Sequence, residues 1–326
     1  PQTIDGHKVV AIGEGAFKGT CLVNVTIPDT VTVIGDSAFE NCDNLKNVKI
    51  SENLKKLGMM AFGNCDALTE IEIPKNITTV AYNEFYNPVR GPFTGSNSLQ
   101  TVVFEEGMTW LPGYILAGCS GFTTVKIPET VTEIGKGAFR DCSRLESITI
   151  PDNIQSVGQY AFAGCTALNQ VTFPETMSSI GKTSFVNCDS LKNVTIPKNV
   201  SLIDANAFGY NLNNDTLTKN DVITITGYRN TAAQDYATMN DIPFIALDPE
   251  ESSTTTTTDV TVTTTTETIE PGTVYCGDVN LDGKIDLTDS VVLNKATAGT
   301  VDLGESARAN ADCNTAVSYT HLRAHE

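Results

Sequence analysis

An aromatic or large aliphatic residue recurs along this chain at a nearly fixed interval, and its neighbours recur with it. The anchors are Phe17, Phe39, Phe62, Phe85, Leu116, Phe139, Phe162, Phe185 and Phe208, separated by steps of 22, 23, 23, 31, 23, 23, 23 and 23 residues. The segments around them nearly superimpose: IPDTVTVIGDSAFENCDNL (27–45), IPETVTEIGKGAFRDCSRL (127–145), IPDNIQSVGQYAFAGCTAL (150–168) and FPETMSSIGKTSFVNCDSL (173–191). Self-similarity at this period marks a stacked array, each repeat being one supersecondary unit. The 31-residue step predicts that one repeat carries eight extra residues after Phe85.

Within one unit, Leu145, Ile148 and Ile150 follow strand spacing up to Pro151, which suits a strand end because it donates no ladder hydrogen bond. Ile154 and Val157 then point inward, Gly158 turns the chain, and Ala161–Phe162 begins a short helical turn. A lone unit is not stable. Ordering its 23 residues costs about 1–2 kcal/mol each, and burying its eight or so apolar side chains returns about 1.5–3 kcal/mol each only when burial is complete. Stacking completes it, so the expected fold is mostly β, a solenoid of repeats with short helical turns. The segment VITITGYRNTAAQDYATMNDIPFIAL (222–247) reads as a strand, an Ala-rich helix and a last apolar strand that together cover the open end of the core.

Nine cysteines invite a disulfide reading. Their positions argue against it: Cys42, Cys65, Cys119, Cys142, Cys165 and Cys188 each lie three residues after an anchor, and Cys21 one place further. This is periodicity, and a small apolar thiol filling one layer of a stack explains it.

The formal charge of -18 argues against a nucleic-acid partner, which needs clustered Lys and Arg. No run of 18 apolar residues suggests a membrane span. The chain starts at Pro1 with no initiator Met and no signal-peptide pattern, so it reads as a fragment whose N-terminal region is missing. His7 alone makes neither a triad nor a metal cluster, and no catalytic constellation emerges.

Solenoids bind through repeated surfaces. The outward strand position holds Thr26, Lys49, Glu72, Val103, Lys126, Thr149, Thr172 and Thr195, a row that either meets a ligand or is simply exposed strand. The region of the long step carries Tyr82, Phe85, Tyr86, Pro88, Arg90, Pro92 and Phe93, and one repeat later come Trp110 and Tyr114. The row of Trp110 is otherwise Val33, Lys56, Thr79, Glu133, Ser156, Ser179 and Leu202, so Trp110 is expected to face outward. Tyr82, Tyr86, Arg90, Trp110 and Tyr114 are the candidate ligand contacts, suited to protein or sugar. The alternative is that Trp110 packs beneath the insertion and holds it down.

The pattern L-x-x-V-x-I-P-x-x-V-x-x-I-G-x-x-A-F-x-x-C closely resembles BspA-type leucine-rich repeats, found in bacterial surface and secreted proteins. The resemblance covers about residues 4–210, and 1–247 reads as the array with 222–247 its cap. It implies a non-catalytic binding protein.

Residues 248–273 change abruptly to Thr-rich sequence with nothing to form a core, and read as an extended tether. In 277–299, Asp278, Asn280, Asp282, Gly283, Asp286 and Asp289 fall at positions 1, 3, 5, 6, 9 and 12 of an EF-hand-type loop, with the Lys284 carbonyl at position 7. This set is expected to bind Ca2+. A loop and exit helix after such a tether resemble a dockerin of the cellulosome type over 274–315. That resemblance implies a cohesin module of a scaffoldin as partner, with Leu287, Thr288, Val292 and Lys295 helping to choose it. A second loop starts at Asp312 and Asn314 but breaks at Ala316, and 316–326 reads as translated sequencing adapter. The expectation is a secreted, cellulosome-associated scaffold. The alternatives are a BspA-kind surface adhesin and the non-catalytic part of a polysaccharide-degrading enzyme.

Overall fold

The computed structural model describes residues 1–83, 89–213, 216–220 and 222–249. Contacts divide the chain into two units, Pro1–Ser252 and Ser253–Glu326, and the second lies wholly outside the described residues.

The first unit is a β-solenoid. Successive coils contribute strands to a long side, Asn24–Thr26, Asn47–Lys49, Glu70–Ile73, Thr101–Phe104, Ser147–Thr149, Gln170–Thr172 and Asn193–Thr195, which pair as several short sheets, while the stretch around Lys126 forms no strand. A second short strand follows in most coils, as in Val33–Ile34, Lys56–Leu57, Glu133–Ile134, Ser156–Val157 and Ser179–Ile180. Both ladders are parallel and in register with the repeat: Ile148 faces Val171, Val157 faces Ile180, and Ile34 faces Leu57. Alternate residues of the long strands point in and are buried, and the others face solvent.

The anchors stack into a column. Ring centroids lie 5.1 Å apart for Phe17–Phe39 and Phe39–Phe62, 5.2 Å for Phe139–Phe162 and 5.1 Å for Phe162–Phe185, with planes within 14° of parallel. This spacing is close to that of neighbouring strands, about 4.7–4.9 Å. The column therefore rises at the pitch that the ladders set.

One anchor differs from the sequence expectation. Phe93 stacks on Phe62 at 5.7 Å and is fully buried, while Phe85 lies outside the described residues. The long step thus falls between Phe62 and Phe93, and the extra residues precede the anchor instead of following it. The neighbourhood of Phe93 explains its selection. Leu99 lies six residues on, where Leu45, Leu68, Leu145, Leu168 and Leu191 follow their anchors, and all are buried. Ser96 takes the cysteine's place, and its Oγ donates to the Phe62 carbonyl at 2.6 Å.

The cysteines are reduced, six of them buried and Cys21 exposed, among the described residues. They do more than fill a layer. Five of the six buried Sγ atoms donate to the anchor carbonyl of the preceding coil: Cys42 to Phe17 at 3.1 Å, Cys65 to Phe39 at 3.3 Å, Cys142 to Leu116 at 3.2 Å, Cys165 to Phe139 at 3.2 Å and Cys188 to Phe162 at 3.2 Å, while Cys119 pairs with the Gly121 backbone. Burial pushes the Cys65 and Cys119 thiols up to about 12, and the Cys142 and Cys165 thiols well above the usual range.

The expected helical turns are turns without helix. Two positions in the coil adopt left-handed backbone, two residues before and two after the anchor: Tyr160 (φ 58°) and Gly164 (φ 75°) flank Phe162, and Ser37 (φ 55°) and Asn41 (φ 59°) flank Phe39. A right-handed helix cannot run through them. Helix occurs in the cap, where α1 (Ala232–Met239) sits between the strands Thr224–Gly227 and Phe244–Ala246. There Tyr236 meets Phe208 edge-on at 6.3 Å, and its hydroxyl accepts from the Phe208 N–H and donates to the Phe208 carbonyl. One side chain thereby satisfies backbone groups that a further coil would otherwise meet.

Gly158 does not turn the chain by a positive φ. A Cβ there would lie 2.8 Å from backbone atoms of Ile134, Gly135 and Lys136. Gly35, Gly58, Gly135 and Gly181 are crowded in the same way by the coil before them, whereas Gly13, in the first coil, has nothing within 4 Å. Gly158→Ala is expected to cost about 1–3 kcal/mol by overpacking against backbone. Gly13→Ala, at the same repeat position, is expected to change stability by about 0.5 kcal/mol or less. Urea unfolding of the two variants checks this, and equal losses would refute the close-approach explanation. Thiol mapping gives a second check. A thiolate-selective reagent on the folded chain is expected to modify Cys21 and spare the six buried cysteines until denaturant is added.

Candidate functional site

The buried core is a continuous apolar cluster, so the chemistry of the array lies on its outer surfaces. The outward row of the long strands is realised as the spacing predicts: Thr26 lies opposite Lys49, Glu72 opposite Val103, Thr149 opposite Thr172 and Thr195 opposite Thr226. All eight sequence-predicted members of the row are exposed.

The second ladder forms two runs. One ends at Thr79–Val80, and the other begins at the bridge between Leu111 and Ile134. The insertion leaves the coil at this gap, directly after Val80. Trp110 stands on the far side of the gap, next to Leu111, and is 36% exposed. It faces outward as expected, though about two-thirds of it is covered.

The remaining candidates separate into distinct roles. Tyr82 is exposed and stacks on Tyr114 with centroids 3.6 Å apart. Tyr114 is 1% exposed, so it offers no surface to a ligand. Its ring lies between Tyr82 and the Lys136 ammonium, 5.8 Å from the ring centroid, and packs with Val89 and Ala117. Phe93 is likewise interior. Arg90 is half-buried and closes a two-residue antiparallel bridge with Asn83 at the base of the insertion. Tyr86 and Pro88 lie outside the described residues, as do the calcium set Asp278, Asn280, Asp282, Lys284, Asp286 and Asp289 and the cohesin set Leu287, Thr288, Val292 and Lys295.

The insertion also creates a feature that sequence reasoning missed. A groove of about 590 Å³ runs over the turn side of the coils, lined by Glu40, Asn64, Arg90, Asn97, Ser120 and Asp141 among others. Asp141 sits two residues after its anchor, in left-handed backbone (φ 60°), where every other coil but the last, which has Tyr210, carries Gly or Asn. Its Oδ2 accepts from the Val89 N–H at 2.8 Å and so ties the insertion to a coil 52 residues away. Burial raises the Asp141 pKa, against the opposing pulls of the Val89 hydrogen bond and the Arg140 charge. On the other wall, Lys18 pairs with Glu40 at 2.7 Å. The departure from Gly or Asn at one position of the repeat was the available signal for Asp141. Among the described residues no group of three or more His, Cys, Asp or Glu could hold a metal ion. No helix among them is long and apolar enough to cross a membrane.

A coil closed by two sets of parallel strands and an aromatic column, repeated about every 23 residues, defines a leucine-rich-repeat β-solenoid. More narrowly, the chain belongs to the BspA type leucine rich repeat region family, whose model matches residues 10–90 and 90–215 in six copies. No curated protein sequence matches the chain. Among solved structures it is similar to a leucine-rich repeat protein from Bacteroides ovatus, at 23% identity and a TM-score of 0.45, covering 75% of this chain and 58% of that one. It is also similar to the pneumococcal vaccine antigen PcpA, at 18% identity and a TM-score of 0.43, covering 76% of this chain and 73% of that one. A leucine-rich repeat protein from Bacteroides capillosus is 43% identical over 30% of this chain and 65% of that one, with a TM-score of 0.26. The chain thus spans about 58% of the length of the Bacteroides ovatus protein.

Asp141 gives a test of how the insertion is held. Its folded pKa lies above the ordinary Asp value of about 3.9, so the folded state holds its proton more tightly than the unfolded chain. The stability it contributes is present at low pH and is lost as pH rises through the raised value. Asp141→Asn keeps an acceptor for Val89 and removes the buried charge, so its stability relative to the parent is expected to improve from pH 4 to pH 7. Asp141→Ala leaves the Val89 N–H unpaired and is expected to lose about 1–3 kcal/mol. Urea unfolding at both pH values checks the pair.

Proposed function

We propose that this chain is a non-catalytic binding scaffold that works outside the cell. The array holds a protein or glycan partner on its exposed strand faces and beside the insertion. Residues 274–315 attach it, through calcium-dependent binding of a cohesin module, to a cellulosome scaffoldin. The observation that carries the first half is the separation of roles within each coil. Inward positions are spent on one continuous core, and outward positions stand in register along an extended face that any one partner can span. Membership of the BspA type family supports a surface or secreted setting, since such repeats occur in proteins of that kind.

The second half rests on sequence. Asp278, Asn280, Asp282, Asp286 and Asp289, with the carbonyl of Lys284, supply oxygens at the spacing of a calcium loop, and Gly283 stands at its sharp turn. Leu287, Thr288, Val292 and Lys295 occupy the places from which a dockerin selects its cohesin.

The test uses the full chain, alone and extended to carry an intact second loop, as bait on the source secretome with calcium or with chelator. Retention of a cohesin-bearing protein in calcium, and its loss in chelator and in Asp282→Ala, is the expected result. Calcium uptake without cohesin retention would favour a BspA-kind adhesin whose loop only braces its own segment. In the same experiment Trp110→Ala is expected to weaken capture of the array's partner about tenfold, without lowering the melting temperature. Unchanged capture by that variant removes the gap in the second ladder from the binding surface.

A further inference from the structure

The two ends of the long strand face differ in chemistry. Towards the N-terminus, a groove is lined by Lys49, Glu52, Glu72 and Glu105, and the Glu105 carboxylate is paired with Lys75. Towards the C-terminus, a groove of about 390 Å³ has a floor of neutral polar side chains from two successive coils, Gln170 and Thr172 on one strand and Asn193 and Thr195 on the next. Glu175 stands on its rim, and the half-buried Tyr228 forms a wall.

Three observations give this groove a ligand chemistry. First, the four floor side chains are exposed, and none hydrogen-bonds to another described residue, whereas Asn24 with Asn47, Asn41 with Asn64 and Asn97 with Ser120 pair among themselves elsewhere on the array. Two amides and two hydroxyls are therefore presented outward with donors and acceptors unspent. Second, each strand sets its own pair on the outward face, because Gln170 and Thr172, and Asn193 and Thr195, are alternate residues of one strand, roughly 6.6 Å apart along it. Third, the aromatic wall is held in place. Lys198 lies over the Tyr228 ring at 6.0 Å, and the adjoining Arg229 donates its backbone N–H to Asp248 Oδ1 at 3.0 Å and its guanidinium to the Asp248 carbonyl at 2.6 Å.

We infer that this groove is a subsite for a neutral oligosaccharide chain, with sugar hydroxyls on the amide and hydroxyl floor and a ring face against Tyr228. The inference rests on the reading of the array as a binding scaffold and names one of its ligands. The floor carries no charge to select an ionic partner, and a flat run of hydroxyls matches unpaired neutral donors and acceptors. The ring provides apolar contact that a sugar face can use.

Affinity electrophoresis of the full chain tests this in gels containing mixed-linkage β-glucan, xyloglucan, arabinoxylan or galactomannan, with polygalacturonate as the anionic control. The expected result is retardation by at least one neutral polysaccharide and none by polygalacturonate. Tyr228→Ala and Asn193→Ala should each weaken it about tenfold while melting as the parent does. Met239→Ala, on the exposed face of the cap helix and outside the groove, should leave it unchanged. Absence of retardation in all four neutral gels, or retardation that survives both groove variants, overturns the inference. The secretome capture described above separates this from failure of the scaffold reading. A partner still captured without glycan retardation leaves the scaffold standing and the glycan subsite rejected. Loss of a captured protein in Tyr228→Ala, with no glycan retardation, reassigns the groove to that protein.

Discussion

The structure depends on the distance between successive coils. Two parallel ladders hold neighbouring backbones at strand spacing, about 4.8 Å, and every repeated feature is a consequence of that pitch. Phenylalanine rings 5.1 Å apart stack because their coils do, and the column stays parallel to within 1° at Phe39–Phe62. Glycine recurs after the second strand because the preceding coil's backbone leaves no space for a Cβ at Gly58, Gly135 or Gly158. The thiol three residues after the anchor is small enough for the layer, and its S–H reaches the carbonyl of the coil before it. Ser96 makes the same contact where the sequence departs from cysteine, so geometry and hydrogen bonding, not redox chemistry, select the position.

Positions that repeat were legible in the sequence, because the pitch constrains each of them alike in every coil. The inward triplet Leu145, Ile148 and Ile150 is buried as its spacing predicts. The cap over 222–247 contains the strand, helix and strand that its pattern suggested. What the sequence misled on was local backbone. The Ala-Phe segment has helical composition, yet left-handed residues on either side of the anchor confine it to turns. The insertion was misplaced because one aromatic was weighed alone: Phe85 keeps the 23-residue step, but only Phe93 has a leucine six residues on and Ser96 in the thiol's place. The N-terminal hairpin pairing Thr3–Ile4 with His7–Lys8 was also there to be read, in the Asp5-Gly6 turn.

Surface chemistry was legible in proportion to its periodicity. The outward row of the long strands followed from alternation alone. Trp110 could be assigned an outward place from its row, but its partial cover depends on the insertion, whose path no repeat dictates. Tyr114 looked like part of an aromatic surface and is instead interior, because the left-handed backbone two residues before its anchor (φ 58°) turns the side chain beneath Tyr82. Asp141 became a tie for the insertion only once Val89 was brought to it across 52 residues. Contacts of that kind have no signature in spacing.

The same constraint explains why binding chemistry can vary along an array whose core barely changes. An inward substitution must satisfy a column and two ladders at once. An outward one meets only solvent and the same place in the coils on either side. Lys49, Glu72, Val103 and Thr172 can therefore occupy one row without disturbing the pitch. A coil-wide face of fixed spacing and free composition can be charged at one end and neutral at the other. Specificity is then set by which side chains adjacent coils place about 4.8 Å apart, and by where an irregular element, the insertion or the cap, supplies a wall.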